Sequence, residues 1–169
     1  MEVTFDVWTG ESIKELIQTL AEFRIQVFLE TKNNQHSVSD EMNFLQHYLA
    51  DEGTVIVAND CGNIVGYISC INYSEVHHAL SEYSYFGEDM RVSEGPIVHP
   101  SFRNMGIGKG LIQEALNECE LKDVTLFLID ATYVKSEQDV HARDELSKQF
   151  NFSLINDHNS VYKKELNLD

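Results

Sequence analysis

Within Arg103 to Lys109 the chain sets two cationic side chains around two glycines, as Arg103-Asn104-Met105-Gly106-Ile107-Gly108-Lys109. Glycine has no Cβ, so neighbouring backbone N–H groups can approach a ligand closely. An apolar helix pattern follows at once, with Leu111, Ile112, Ala115, Leu116 and Cys119. A strand-like run from Val92 to Val98 precedes it, and Pro100 lies in the connection. Strand, glycine loop and helix start together make an anion site. Unbonded N–H groups converge there, and the helix dipole adds roughly half a positive charge. Arg103 and Lys109 supply local charge for the same anion.

Spacing separates the kinds of anion loop. A Walker loop needs G-x-x-x-x-G-K-[ST], but Lys109 is followed by Gly110, and Arg103 stands where the first glycine should be. A dinucleotide fingerprint needs G-x-G-x-x-G in an early βαβ unit. Gly106, Gly108 and Gly110 have the wrong third spacing and lie two-thirds of the way along the chain.

The elements that position this loop can be read in order. Val3 to Trp8 alternates as a strand, and Ser12 with Glu15 reads as a capping box opening a helix to about Glu30. A second helix is predicted from Asp40 to about Ala50, with Phe44, Leu45, Tyr48 and Leu49 on one face. Thr54–Ala58 and Ile64–Tyr73 are strands joined by the hairpin residues Asn59 to Asn63. Ser74 to Asp89 is acidic and aromatic, as a short helix or a lid. After the glycine loop come a helix to about Leu121, a solidly apolar and therefore central strand Thr125–Ala131, and a helix Val140–Phe150. Phe152–Ile155 and Val161–Leu166 form a closing hairpin. The order β-α-α-β-β-β-α-β-α-β-β predicts a mixed sheet with helices on both faces.

Arg-x-x-Gly-x-Gly at a strand–loop–helix junction resembles motif A of the GNAT superfamily of acyl-CoA-dependent N-acetyltransferases. The preceding Ile97-Val98-His99-Pro100-Ser101-Phe102 is similar to that motif's usual lead-in, and the element order is similar along nearly the whole chain. The resemblance implies a single domain over residues 1–169. Its fold would be mixed α/β (α+β), with a central, mostly antiparallel sheet, a splayed strand pair and about four flanking helices. It also implies acetyl-CoA as co-substrate. The pyrophosphate of coenzyme A would sit on N–H groups of Asn104, Met105, Gly106, Ile107, Gly108 and Lys109, beside Arg103. Pantetheine would pair with the strand at Ile97 and Val98. Pro96 follows Gly95, and a proline is confined to edges and bulges, so a bulge is expected that helps to splay the strands.

Direct acetyl transfer to an amine needs a neutral amine, and an alkylamine is neutral only about one part in a thousand at pH 7. A base must take its proton, and donors must stabilise the oxyanion. The resemblance implies the Val98 N–H as that donor and Glu94 as the base, against the alternative of a surface glutamate. The family's L-Y-x-x-x-G-F run corresponds here to Leu146-Ser147-Lys148-Gln149-Phe150-Asn151-Phe152, so Ser147 stands where the proton-donating tyrosine is expected. Tyr133 is the substitute acid, with packing as its other reading and solvent as another proton source.

The formal net charge of −16 and pI near 4.6 exclude nucleic acid as the expected partner and disfavour an anionic membrane surface. Acidity permits a cationic acceptor, and the rings and carboxylates of Ser74 to Asp89 would suit one. Cys61, Cys70 and Cys119 show no C-x-x-C spacing, and the N-terminus has no signal-peptide pattern, so reduced thiols in a cytoplasmic protein are expected. No metal is expected; His77-His78 are adjacent and point apart on a strand or helix. A small-molecule amine acceptor and a monomer or homodimer complete the expectation. The rival reading is a domain of the same fold that binds acyl-CoA but is weakened in catalysis, serving as a sensor or interaction module.

Overall fold

Alternation along Val3–Thr9 makes β1, and Ser12 then links strand to helix rather than acting in a capping box. Its hydroxyl accepts from the Thr9 N–H at 3.1 Å and donates to the Thr9 carbonyl at 2.7 Å, so it folds back on β1. The reciprocal box sits instead at the second helix. Ser37 Oγ accepts from the Asp40 N–H at 3.1 Å, while Asp40 Oδ2 accepts from the Ser37 N–H at 3.2 Å. The structure is a computed structural model describing residues 2–32, 37–49, 53–72, 90–130, 137–154 and 161–166. The segment Ser74 to Asp89, expected as a short helix or a lid and holding His77-His78, and Tyr133 lie outside these residues.

The helices are α1 (Ser12–Lys32), α2 (Val38–Leu49), α3 (Ile107–Leu121) and α4 (Glu137–Gln149). After β1 come β2 (Thr54–Asp60), β3 (Asn63–Asn72), β4 (Met90–Ser93), β5 (Ile97–Val98), β6 (Leu126–Asp130), β7 (Ser153–Leu154) and β8 (Val161–Glu165). The single strand expected from Val92 to Val98 is thus two, because Glu94-Gly95-Pro96 interrupts it.

The sheet runs β1-β2-β3-β4-β6-β8-β7, with β5 paired to β3. All pairs are antiparallel except β4 with β6. β6 lies between β4 and β8, as its apolar run predicts. Side chains alternate between two cores. Val55, Val57, Tyr67 and Ile71 face α1 and α2, packing on Leu20, Leu45 and Leu49. Ile56, Ala58, Ile68 and Cys70 face α3, packing on Leu111, Ile112 and Ala115. Leu146 and Phe150 bring α4 onto this second core. Each fully buried leucine or isoleucine here contributes about 1.5–3 kcal/mol, so the two faces hold the sheet rigid around the strand break. Among the described residues no helix is long and apolar enough to cross a membrane.

Candidate active site

The break between β4 and β5 is a bulge. Val92 pairs with Ile71 and Ile97 with Tyr67, so five residue steps on one strand face four on the other. Gly95 takes φ 85°, its N–H donates to Ser93 Oγ at 3.0 Å, and Pro96 has no N–H to give. The effect is on the far edge. β6 runs beside β4 as far as the Ser93–Ile129 pair, and then β5 continues along β3 alone among the described residues. The sheet is therefore split between β5 and β6.

Backbone direction on β5 follows from the ladder. The His99 N–H donates to the Val65 carbonyl at 3.0 Å, which makes Val65–His99 a hydrogen-bonded pair. Antiparallel pairs alternate, so Ile97 turns its backbone groups to Tyr67, and Val98 turns its own away from β3 into the split. The Val98 carbonyl accepts there from Arg103 Nε at 3.3 Å. The expected contact residues Ile97 and Val98 thus face opposite ways along their backbone.

Beyond β5 a 3-10 turn, Pro100–Phe102, is capped by His99, whose Nδ1 accepts from the Ser101 N–H at 3.2 Å. Arg103, Asn104, Met105 and Gly106 are exposed. Asn104 and Gly106 are left-handed, at φ 62° and 82°. Gly106 is the N-cap of α3 and makes no side-chain cap. The first N–H to bond inside the helix is that of Gly110, to the Gly106 carbonyl at 2.9 Å. Helical geometry leaves Ile107, Gly108 and Lys109 without an intrahelical acceptor for their N–H groups. The loop accordingly has the donors, the dipole end and the open face that a pyrophosphate requires. Gly108 lies near Pro96, where an added Cβ would stand 3.8 Å from Pro96 Cγ, so loop and bulge adjoin.

Glu94 is in the bulge and only 7% exposed, so it is not a surface glutamate. Its Oε1 accepts from Arg24 Nη1 of α1 at 2.6 Å and from the Tyr67 hydroxyl of β3 at 2.8 Å. Arg24 Nη1 also donates to the Tyr67 hydroxyl oxygen. Arg24 Nε donates to Glu41 Oε2 of α2 at 2.7 Å, and Phe28 and Phe44 flank the guanidinium with ring centroids 4.8 and 4.9 Å away. Burial pushes the Tyr67 phenol well above its ordinary value, although Arg24 opposes this. Burial alone would lower the Arg24 guanidinium, but Tyr67, Glu94 and Glu41 outweigh it and raise it. With the phenol neutral at physiological pH, the carboxylates of Glu94 and Glu41 are the charges the guanidinium faces.

Arg24, Glu41 and Tyr67 were not among the expected site residues. One signal was present. Leu16, Ile17, Leu20 and Val27 mark the buried stripe of α1, and Arg24 falls on that stripe. A cation there needs a buried partner.

On the other face, Ser147 is buried within α4, and its carbonyl accepts from the Phe152 N–H at 2.8 Å. Tyr162 of β8 reaches α4, where its hydroxyl donates to Asp144 Oδ1. No cluster of metal-ligating side chains occurs among the described residues.

Solved structures share the fold along almost the whole chain. An acetyltransferase of the GNAT family from Staphylococcus aureus Mu50 is 19% identical with TM-score 0.67, covering 98% of this chain and 100% of its own. PH1933 from Pyrococcus horikoshii OT3 is 18% identical with TM-score 0.70, covering 99% and 100%. The PaiA N-acetyltransferase from Thermoplasma acidophilum, solved with coenzyme A, is 12% identical with TM-score 0.65, covering 98% and 100%. No curated protein sequence matches the chain. The model of the acetyltransferase (GNAT) family matches residues 13–143. With that match over most of the chain, and with the split sheet and the glycine loop at the start of α3, the chain belongs to the GNAT acetyltransferase family.

Proposed function

We propose that the chain transfers an acetyl group from acetyl-CoA directly to a primary amine of a small, cationic acceptor. The observation that carries this reading is the joining of two half-sites at one bulge. The loop Arg103 to Lys109 adjoins it on one side, and the buried carboxylate Glu94 lies within it. The loop N–H groups from Asn104 to Lys109, with the Arg103 charge, suit the coenzyme A pyrophosphate. Val98, turned into the split, suits pantetheine and gives its N–H to the thioester oxygen as negative charge develops. Ile97 holds the strand to β3 from the other side.

Glu94 is the general base, directly or through one water. The acceptor ammonium loses a proton to it, the freed nitrogen attacks the thioester carbon, the C–S bond breaks to release coenzyme A thiolate, and the second proton leaves the new amide nitrogen to water. A thiol pKa of about 8.5 makes that thiolate a tolerable leaving group and still leaves it protonated by solvent at pH 7, which suits a chain with Ser147 at the usual tyrosine position. Tyr133 is the side chain proposed as the other source of that proton. The acidity of the chain supports a cationic acceptor.

The buried Ser147 also supports a second reading, a domain that binds acyl-CoA and no longer turns it over. Thiol release from acetyl-CoA across a panel of amines, polyamines and anionic or neutral acceptors separates the two. Turnover with cationic amines is expected. Coenzyme A binding with no thiol release for any acceptor sinks the enzyme reading, and turnover of anionic or neutral acceptors alone sinks the cationic one.

A further inference from the structure

Arg24 is 6% exposed, on a helix stripe that is otherwise apolar. A guanidinium removed from water is retained only where hydrogen bonds and charge replace hydration. Here the fork is divided between two elements. Nε reaches Glu41 on α2, and Nη1 reaches Glu94 in the bulge together with Tyr67 on β3. The rings of Phe28 and Phe44 fix the guanidinium plane by flanking it. A lysine has the charge but not the planar fork, so it cannot hold both carboxylates in this geometry.

We infer that Arg24 is a positioning residue for Glu94. Its guanidinium orients the bulge carboxylate, and through Glu41 it registers α1 and α2 on the same point. This rests on the reading of Glu94 as the base. Without the guanidinium, a carboxylate buried beside Tyr67 loses its opposite charge, which favours the protonated form that cannot accept a proton from the acceptor. Tyr67 stays a neutral phenol and donates to Oε1, which orients the carboxylate without neutralising it. Glu41 takes the other branch of the fork and keeps Arg24 from swinging wholly to Glu94.

The test compares the unchanged chain with Arg24→Gln, Arg24→Lys, Glu41→Gln and Glu94→Gln, each checked for folding by circular dichroism. In Arg24→Gln, kcat is expected to fall at least tenfold at pH 7. The acid limb of kcat/KM should move up by about one unit or more. KM for acetyl-CoA should stay within about twofold, since the glycine loop is untouched. Arg24→Lys should recover part of the limb but not all of kcat. Glu41→Gln should shift the limb less than Arg24→Gln does.

A second readout needs no turnover. In carbon-13 carboxylate spectra the Glu94 resonance is identified by its loss in Glu94→Gln. It should titrate at higher pH in Arg24→Gln than in the unchanged chain, with Arg24→Lys between them. An Arg24→Gln protein that is merely less stable, with limb and Glu94 titration unmoved, overturns the inference. If Arg24→Gln does not fold, Arg24→Lys decides: no movement of the Glu94 titration overturns the inference. A Glu94→Gln protein with the unchanged chain's kcat and acid limb removes the base reading instead. The carboxylate titration then still judges whether Arg24 positions Glu94.

Discussion

Arg24 of α1 and Glu94 of the β4–β5 bulge, 70 residues apart in the chain, meet at 2.6 Å in a buried ion pair. The pair places a carboxylate in the bulge that the glycine loop adjoins. Its burial also means that stability and catalysis must be measured separately in every variant of the site.

Glu94→Gln should lower kcat at pH 7 at least tenfold, within the usual effect of removing a general base. Glutamine keeps the shape and an accepting oxygen but leaves Arg24 with one carboxylate. Breaking a buried pair costs about 3–5 kcal/mol, and the retained oxygen places this change toward the low end. Thiol-release kinetics, corrected for folded fraction from a urea melt, check both. An unchanged pH–rate profile would remove Glu94 from the mechanism.

Gly106→Ala tests the loop. Nothing lies within 4 Å of a Cβ added there, so the penalty comes from φ 82° alone. A left-handed alanine costs about 1–2 kcal/mol, and relaxing it swings the α3 N–H groups off their common focus. KM for acetyl-CoA should rise about tenfold with kcat within about twofold. Coenzyme A affinity by calorimetry is the direct check. Undiminished affinity would locate the pyrophosphate elsewhere.

Tyr67 sets an alkaline signature. Its phenol is held well above the ordinary value, chiefly by burial, so above about pH 10 the folded chain binds one more proton than the unfolded chain. Stability therefore falls as pH rises through the unfolded value toward the folded one, by about 1.4 kcal/mol per pH unit from this group. Urea midpoints measured between about pH 9 and 11 should fall less steeply in Tyr67→Phe. Parallel slopes in the two proteins would show that Tyr67 ionises freely.

The cysteines should react unequally. Cys61 is exposed at the β2–β3 turn, whereas Cys70 and Cys119 are buried. The hydrogen bond with Cys119, and then burial, raise the Cys70 thiol; Cys119 itself is lowered by that bond but is buried. A chromogenic disulfide should titrate one thiol quickly in the native chain and all three in urea. Two fast thiols would contradict the packing of β3 on α3.

Much of this architecture was legible in local chemistry. Gly95-Pro96 announced a bulge, because proline cannot donate to a ladder, but not that the bulge divides the expected strand in two. Arg103 to Lys109 announced the loop because its glycines and the following helix stripe are contiguous. The apolar run Thr125–Ala131 announced a strand flanked on both sides. Family resemblance added Glu94, which no spacing alone would have selected. The partners of Glu94 were not legible, since Arg24, Glu41 and Tyr67 converge only through tertiary packing. Periodicity treats an arginine on an apolar stripe as an interruption. Ser12 was assigned the capping box on a local pattern that Ser37 and Asp40 satisfy instead. The choice depended on whether the serine hydroxyl had a better partner in the preceding strand. The parallel pairing of β4 with β6 likewise depends on crossover through α3, which a strand's own residues do not record.

Chain order gives the buried pair a role in assembly. Arg24, Glu41 and Tyr67 all belong to the stretch through β3, and Glu94 comes after it. A chain that forms its leading part first, as chains do during synthesis, brings together Arg24, Glu41 and Tyr67 before the second carboxylate of the guanidinium exists. The later strands then find their seat by charge as well as by backbone pairing. A strand slipped by one residue would leave the guanidinium facing the wrong neighbour at a cost of several kcal/mol. The Arg24–Glu94 pair thus favours the register of β4 and β5 seen here, with the split opening after the Ser93–Ile129 pair.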